Sequence, residues 1–539
     1  MKRKWIIGFL AFTLTLTSIP AYAAEEDAEK NVLNWFAGGE VTTMDSGKEY
    51  DTISAEQIGY FNDTLYRINS DNEAVPSLAL DYPTVSEDGL TATLEIRHDA
   101  KYSNGTDIKA EDIVYAAQRV VDPATGSQAA GNLSWIKNAA EITAGELDVS
   151  ELGIRALSDY ELEIDLTAPN PYLNNELSNV LLAPVSKEFV ESVGADQYGL
   201  SSETLLSSGP FVLQDWSGAD ISWEYVKNEN FWDADNIYFD QINIQILKEV
   251  ATGVSLYEAG ELDGVEISGD YISLYRDTPD SVQVDTLRMT NLELGISSNE
   301  YLQNEKVRKA LSLVINREEL ANIILNGSGT PAVGVIPNGI AVNPETGASI
   351  EEDFGNLIEY DVEKAQELWA EALDELGVSE ITFELYTSDS DEHIKVGTYL
   401  QSVFQANLPG LTIDVKNVTS SVRFDVMMSF DFDLALGGWT GDYNPTSYVK
   451  QFETSYEHNH AQWQSEELTA LVNALETEDG NDFNLRWQHL KEANEYLVDN
   501  TVVINLLQAA KNFIINPDLK GYETHVLGTA VDVTRAYFE

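Results

Sequence analysis

Asp442 closes a stretch, Phe432-Asp433-Leu434-Ala435-Leu436-Gly437-Gly438-Trp439-Thr440-Gly441-Asp442-Tyr443-Asn444-Pro445, whose residue types suit ligand capture. A carboxylate in that position can accept several charge-assisted hydrogen bonds from an ammonium group. Trp439 offers a flat apolar surface beside it. Gly437, Gly438 and Gly441 lack a Cβ, so a second backbone could approach closely, and a peptide ligand could be that backbone. The ordinary alternative is that Trp439 is core and Asp442 a turn residue before Asn444-Pro445. Taken alone, the local sequence favours that alternative.

The element that must position these residues is a strand over Leu434-Ala435-Leu436, a short apolar run bounded by turn residues. Around it, the pattern is an alternating α/β one. Amphipathic helices are expected over 305–324, 361–376, 393–405, 466–476 and 483–498, with strands over 381–386, 411–415 and 502–507. Earlier, strands are expected over 31–35, 90–96, 160–166, 221–226 and 242–247. Helices are expected over 54–65, with Ser54 as N-cap, over 109–121, stopped by Asp122-Pro123, and over 251–259.

The chain has 539 residues, too many for one hydrophobic core, so two or three domains are expected. Hydrophobic residues at 43% and aromatics at 10% speak against disorder. A net charge of −60 from 91 acids and 31 bases excludes nucleic acid and anionic membrane surfaces as partners, and would steer cationic ligands inward. Lys2-Arg3-Lys4, the apolar run from Trp5 to Leu16 and Ala21-Tyr22-Ala23 have the form of a secretory signal over residues 1–23. There is no cysteine, which removes disulfides, thiolate metal sites, a Cys nucleophile and a lipidated Cys anchor.

No phosphate loop, His-Glu-x-x-His helix or Gly-x-Ser-x-Gly elbow occurs. Glu457-His458-Asn459-His460 offers only part of a metal ligand set, and Glu161, Glu163 and Asp165 share one strand face and read as a wet edge. Catalytic residues, metal and cofactor are therefore expected to be none.

Several stretches occur in the order found in the oligopeptide-binding proteins of peptide ABC importers. They are Val75-Pro76-Ser77-Leu78-Ala79, Ser86-Glu87-Asp88-Gly89-Leu90-Thr91, Ser103-Asn104-Gly105-Thr106, Gly209-Pro210-Phe211, Asn230-Phe231-Trp232, Gly260-Glu261-Leu262-Asp263, Val307-Arg308-Lys309-Ala310-Leu311 and Gly438-Trp439-Thr440-Gly441-Asp442-Tyr443. The chain resembles this family, extracellular solute-binding family 5, over essentially its whole mature length.

The resemblance implies a two-lobed α/β fold of the periplasmic-binding-protein type (type II, three domains) that closes by a hinge. Residues 24–62, 186–285 and 505–539 would form domain I, 63–185 an inserted domain II, and 286–504 the other lobe. It implies an oligopeptide ligand, permease and ATPase subunits of an importer as partners, a monomer, an extracytoplasmic location and no enzymatic activity. Asp442 would take the peptide's α-ammonium group. Backbone around Gly437, Gly438 and Thr440 would pair with the ligand as an added strand, and Tyr50, Asp51 and Thr52 would complete that pairing from the facing lobe.

The arginine that in the family would meet a tripeptide's terminal carboxylate is matched by Leu436, a second nearby arginine position by Met427, a pocket tryptophan by Ser420 and a tyrosine by Ala129. The expectation is a roomier groove that does not hold the carboxyl end, with Glu266 near it and a lean towards basic peptides. The competing readings are a signalling-peptide, sugar or metal-chelate receptor of the same family, an extracellular hydrolase, and an adhesion or chaperone-like protein.

Overall fold

The computed structural model describes residues 31–49, 51–441, 443–479 and 482–539. Among these, no helix is long and apolar enough to cross a membrane. The buried side chains form three large clusters, each built on its own secondary structure.

The first begins with β1 (Val32–Ala37), whose Leu33, Trp35 and Ala37 are buried as the alternation predicts. It lies parallel to strand Gln241–Ile246 at the edge of a four-stranded sheet. Helix α1 spans Thr52–Gly59 and is capped by Asp51, one turn earlier than expected. Asp51 accepts from the Ser54 backbone N–H at 2.8 Å and from the Ser54 hydroxyl at 2.8 Å, so Ser54 is a bound partner inside the helix and not its cap. The helix ends before Phe61 because the chain leaves for another core there. Phe61 packs in the first cluster and Leu65 in the second.

The second cluster fills a four-stranded sheet containing Thr91–Glu95 and Glu161–Asp165, covered by α2 (Ala110–Val121). Leu162 and Ile164 point inward, while Glu163 and Asp165 pair with Arg155 on the opposite face. From α2, Arg119 makes two hydrogen bonds to Asp45, at 2.9 and 2.8 Å, in a buried ion pair that fastens the second core to the first.

Strands β2 (Gly264–Ile267) and β3 (Ser281–Leu294) lead into a seven-stranded sheet that serves the third cluster. Helix α3 (Glu305–Leu313) is shorter than the predicted 305–324. The β-branched pair Val314-Ile315 ends it, Asn316 caps a new turn by accepting from the Glu319 N–H at 3.0 Å, and a π-helical turn covers Leu320–Ile324. Next come β4 (Ile381–Ser388), α4 (Asp391–Asn407), β5 (Leu411–Val418), α5 (Ser420–Met428), β6 (Leu434–Thr440) and finally β7 (Ile504–Ile515).

Two of these strands run through both the first and third clusters. On β3, Val284 belongs to the first and Leu287 to the third; on β7, Phe513 belongs to the first and Leu507 to the third. Their ladder slips register between Asp285 and Met289, the kind of irregularity that bends a strand. The molecule is thus a two-lobed α/β protein, with the first two cores in one lobe and the third in the other.

Candidate ligand-binding site

In the second lobe β4 lies between β5 and β6 and is parallel to both. The chain leaves β4 for β5 through α4, then returns across β4 to β6 through α5. Crevices at the carboxyl ends of strands at such reversals are the usual ligand sites of α/β sheets.

The crevice is visible in the pairing of β6. Its one edge pairs with β3 along its whole length, from Leu434↔Leu294 to Thr440↔Arg288. Its other edge pairs with β4 at Leu434 and Ala435 alone. From Leu436 to Thr440 that edge has no strand partner among the described residues, and the Leu436 carbonyl accepts from Arg423 Nη1 instead.

The glycines serve the paired side. A Cβ on Gly438 would come within 2.6 Å of the Met289 carbonyl oxygen, and one on Gly437 within 2.6 Å of Glu293 Cγ. Their close approach is to β3 of the same chain. A Cβ on Gly441 would meet Ser447 and Tyr448, and the Gly441 N–H donates to the Tyr448 hydroxyl at 2.9 Å.

Leu436 is fully buried in the third core, so its side chain lines no groove. Gly438 and Thr440 are exposed. Trp439 is half-buried, its ring 6.3 Å from both Tyr456 and His458, and its buried Nε1 has no partner among the described residues. Asp442 and Tyr50 lie outside the described residues. After Asp442, burial and the nearby Glu176 charge push the Tyr443 hydroxyl up to about 12.

Tyr443 reaches the first lobe, where it lines a cavity of about 430 Å³ together with Glu49, Thr52 and Asp532. Burial, then the charge of Asp51, pushes the Glu49 carboxyl up to about 7. Asp51 itself is occupied as the cap of α1. Burial raises its pKa, but the hydrogen bonds from Thr42 and Ser54 outweigh that and hold it below the usual carboxylate range. Thr52 and Gly528 also line a second cavity of about 190 Å³, which contains Glu266, so the two cavities adjoin. Ser420 is exposed in the first turn of α5.

Arg423 is a cation at the edge of β6 that position-by-position matching missed. It sits four residues before Met427, on the same face of α5, and reaches the carbonyl of Leu436, so it brings a guanidinium to the region where both matched positions are apolar. The i, i+4 spacing was the available signal. Burial and the neighbouring Arg288 charge lower its pKa, and its buried Nε has no partner among the described residues. Burial, with Arg423 and Arg288, holds His393 down at about 4. Among the described residues neither Arg288 nor Arg423 is ion-paired, in a chain with sixty more acids than bases.

His460 Nδ1 lies 3.8 Å from Glu293, and no set of three His, Asp or Glu side chains among the described residues could hold a metal ion.

Residues 73–459 match the family described as bacterial extracellular solute-binding proteins, family 5. The chain belongs to this family. A relative of this family 5 chain, a dipeptide-binding protein of Lactococcus lactis, is 31% identical, with 100% of both chains covered. The substrate-binding domain of an oligopeptide ABC transporter from Bacillus anthracis is 32% identical with a TM-score of 0.69, over 95% of this chain and 100% of that one. Listeria monocytogenes OppA bound to peptide is 29% identical with a TM-score of 0.69, over 95% and 99%.

Proposed function

We propose that this family 5 protein is an extracytoplasmic, non-enzymatic receptor that captures oligopeptides between its lobes and hands them to the permease of an ABC importer. The observation that carries the reading is the unpartnered edge of β6 from Leu436 to Thr440. Five residues at about 3.3 Å each span roughly 17 Å, room for a short extended peptide to add itself as a strand. Main-chain pairing of that kind is indifferent to ligand side chains, which gives broad sequence tolerance.

Asp442, two residues after Thr440 in the sequence, takes the α-ammonium group. Arg423 and Arg288 supply positive charge along the edge, so a free carboxylate is welcome in the groove, contrary to what Leu436 and Met427 alone suggest. We assign residues 24–62, 186–285 and 505–539 to domain I, 63–185 to domain II and 286–504 to the second lobe, with the register slip in β3 and β7 as the hinge. Export follows from the signal-like segment over residues 1–23.

Native mass spectrometry of the purified protein, followed by denaturation and sequencing of what is released, tests the reading. A ladder of peptides of mixed sequence supports it, and a single defined peptide would make the protein a signalling receptor. An empty protein that takes up no added peptide, or one holding a sugar or metal chelate, would overturn it.

A further inference from the structure

The 190 Å³ cavity in the first lobe has an arrangement that the peptide reading does not use. At about 30 Å³ per water it holds about six waters, the scale of one long side chain. Trp35 and Phe513 supply apolar walls, while Glu56 from α1, Glu266 from β2 and Lys511 from β7 supply the charge. Two carboxylates thus face one ammonium group.

The single cation is weakly committed. Lys511 Nζ lies 3.7 Å from Glu266, and the two side chains are 42% and 40% exposed, so solvent screens the pair. Among the described residues Glu56 has no cation within ion-pair distance and accepts one side-chain hydrogen bond, from the Gln57 amide at 3.4 Å. The Tyr60 hydroxyl, at the end of the same helix, is buried with no partner among the described residues, and the charges of Glu56 and Asp532 both act on it. Through Thr52 and Gly528 the cavity adjoins the larger one that Tyr443 also lines.

We propose that this cavity is the subsite for a lysine or arginine side chain of the bound peptide, held by Glu56 and Glu266 at its head and by Trp35 and Phe513 along its stem; the assignment rests on the peptide reading above. Long cationic side chains suit such a place, because their methylenes pack on apolar surface while the head meets the acids. An uncharged side chain of equal length leaves the carboxylates as they are in the empty protein and gains only the stem contacts.

A second signature follows from Glu56. Burial pushes its carboxyl up to about 7, Lys511 opposes that, and Glu266 and Asp532 reinforce it. Near neutral pH the empty pocket therefore holds a proton on Glu56 part of the time. A ligand cation favours the ionised form, so binding at the subsite releases protons to the buffer.

The test uses the mature protein and alanine peptides of four to eight residues, carrying one lysine or one norleucine at each position in turn, titrated by calorimetry in two buffers of different ionisation heat. The expected result is one position at which lysine binds at least tenfold tighter than norleucine, with proton release for lysine alone. Glu56→Gln and Glu266→Gln should each bring that ratio towards one, and Lys511→Met should raise it. Peptides that bind with no position favouring lysine overturn the subsite and leave the peptide reading standing. Failure of every peptide to bind overturns both.

Discussion

Gly437 and Gly438 are neighbours on β6, yet a methyl group added to each meets different matter. At Gly438 the obstacle is a backbone oxygen of β3, which cannot move without breaking the ladder; at Gly437 it is the side chain of Glu293. Gly438→Ala should therefore lower stability by about 1–3 kcal/mol and Gly437→Ala by less, read as the difference in thermal midpoint; equal losses would contradict the close packing on β3. At the ligand, Asp442→Asn should weaken peptides with a free amino group far more than N-acetylated ones, since an unpartnered charge costs about 3–5 kcal/mol. Arg423→Ala should cost peptides with a free carboxylate about 1.5–3 kcal/mol, the range for a charged hydrogen bond, and amidated peptides little. Identical losses for capped and uncapped peptides would remove the respective role.

At the scale of elements, β6 divides its labour. Its apolar first half, Leu434 to Leu436, is core, and its outer edge beyond Leu436 has no strand partner among the described residues. If a peptide adds there as a strand, the outward-facing amides between Leu436 and Thr440 should gain hydrogen-exchange protection on ligand binding while those facing β3 stay protected throughout. No change in the outward set would rule out strand addition. The element pattern itself was largely legible, because helix and strand periodicity is local: β4, β5, α4 and the alternating strands fall close to their predicted bounds. The misses came where a local signal had two readings. Asp51 and Ser54 both cap well, and the carboxylate, which accepts from the backbone and hydroxyl of Ser54, takes the cap. The apolar spacing from Val307 to Ile324 fits one helix, but Asn316 interrupts it.

For the whole molecule, pH dependence follows from the carboxyls that burial raises. Glu49 and Glu56 stand at about 7 and Asp112 at about 6. A carboxyl whose folded pKa lies above its unfolded value stabilises the fold at low pH and loses that contribution as pH rises through the folded value. Carboxyls held low, such as Asp165 by Arg155, act in the opposite sense and fail only at acid pH. Thermal stability should thus be greater near pH 5.5 than at pH 8.5. A net charge of −60 adds self-repulsion, which salt screens beyond about 10 Å at 0.1 M. Raising ionic strength at pH 8.5 should increase the melting temperature, and a flat response to both variables would contradict this charge balance.

By itself the sequence determined the α/β alternation, the absence of cysteine chemistry and the family, because each depends on composition, local period or motifs in a fixed order. It also singled out the stretch around Trp439 and Asp442. Only the tertiary structure decided that β6 keeps a bare edge, that its glycines face β3, that Arg423 reaches the crevice beside a buried Leu436, and that Glu56, Glu266 and Lys511 share a cavity. The physical reason is one of distance along the chain: a strand's second edge and a cavity's opposite wall come from segments far apart in sequence, and no local pattern records which of them meet.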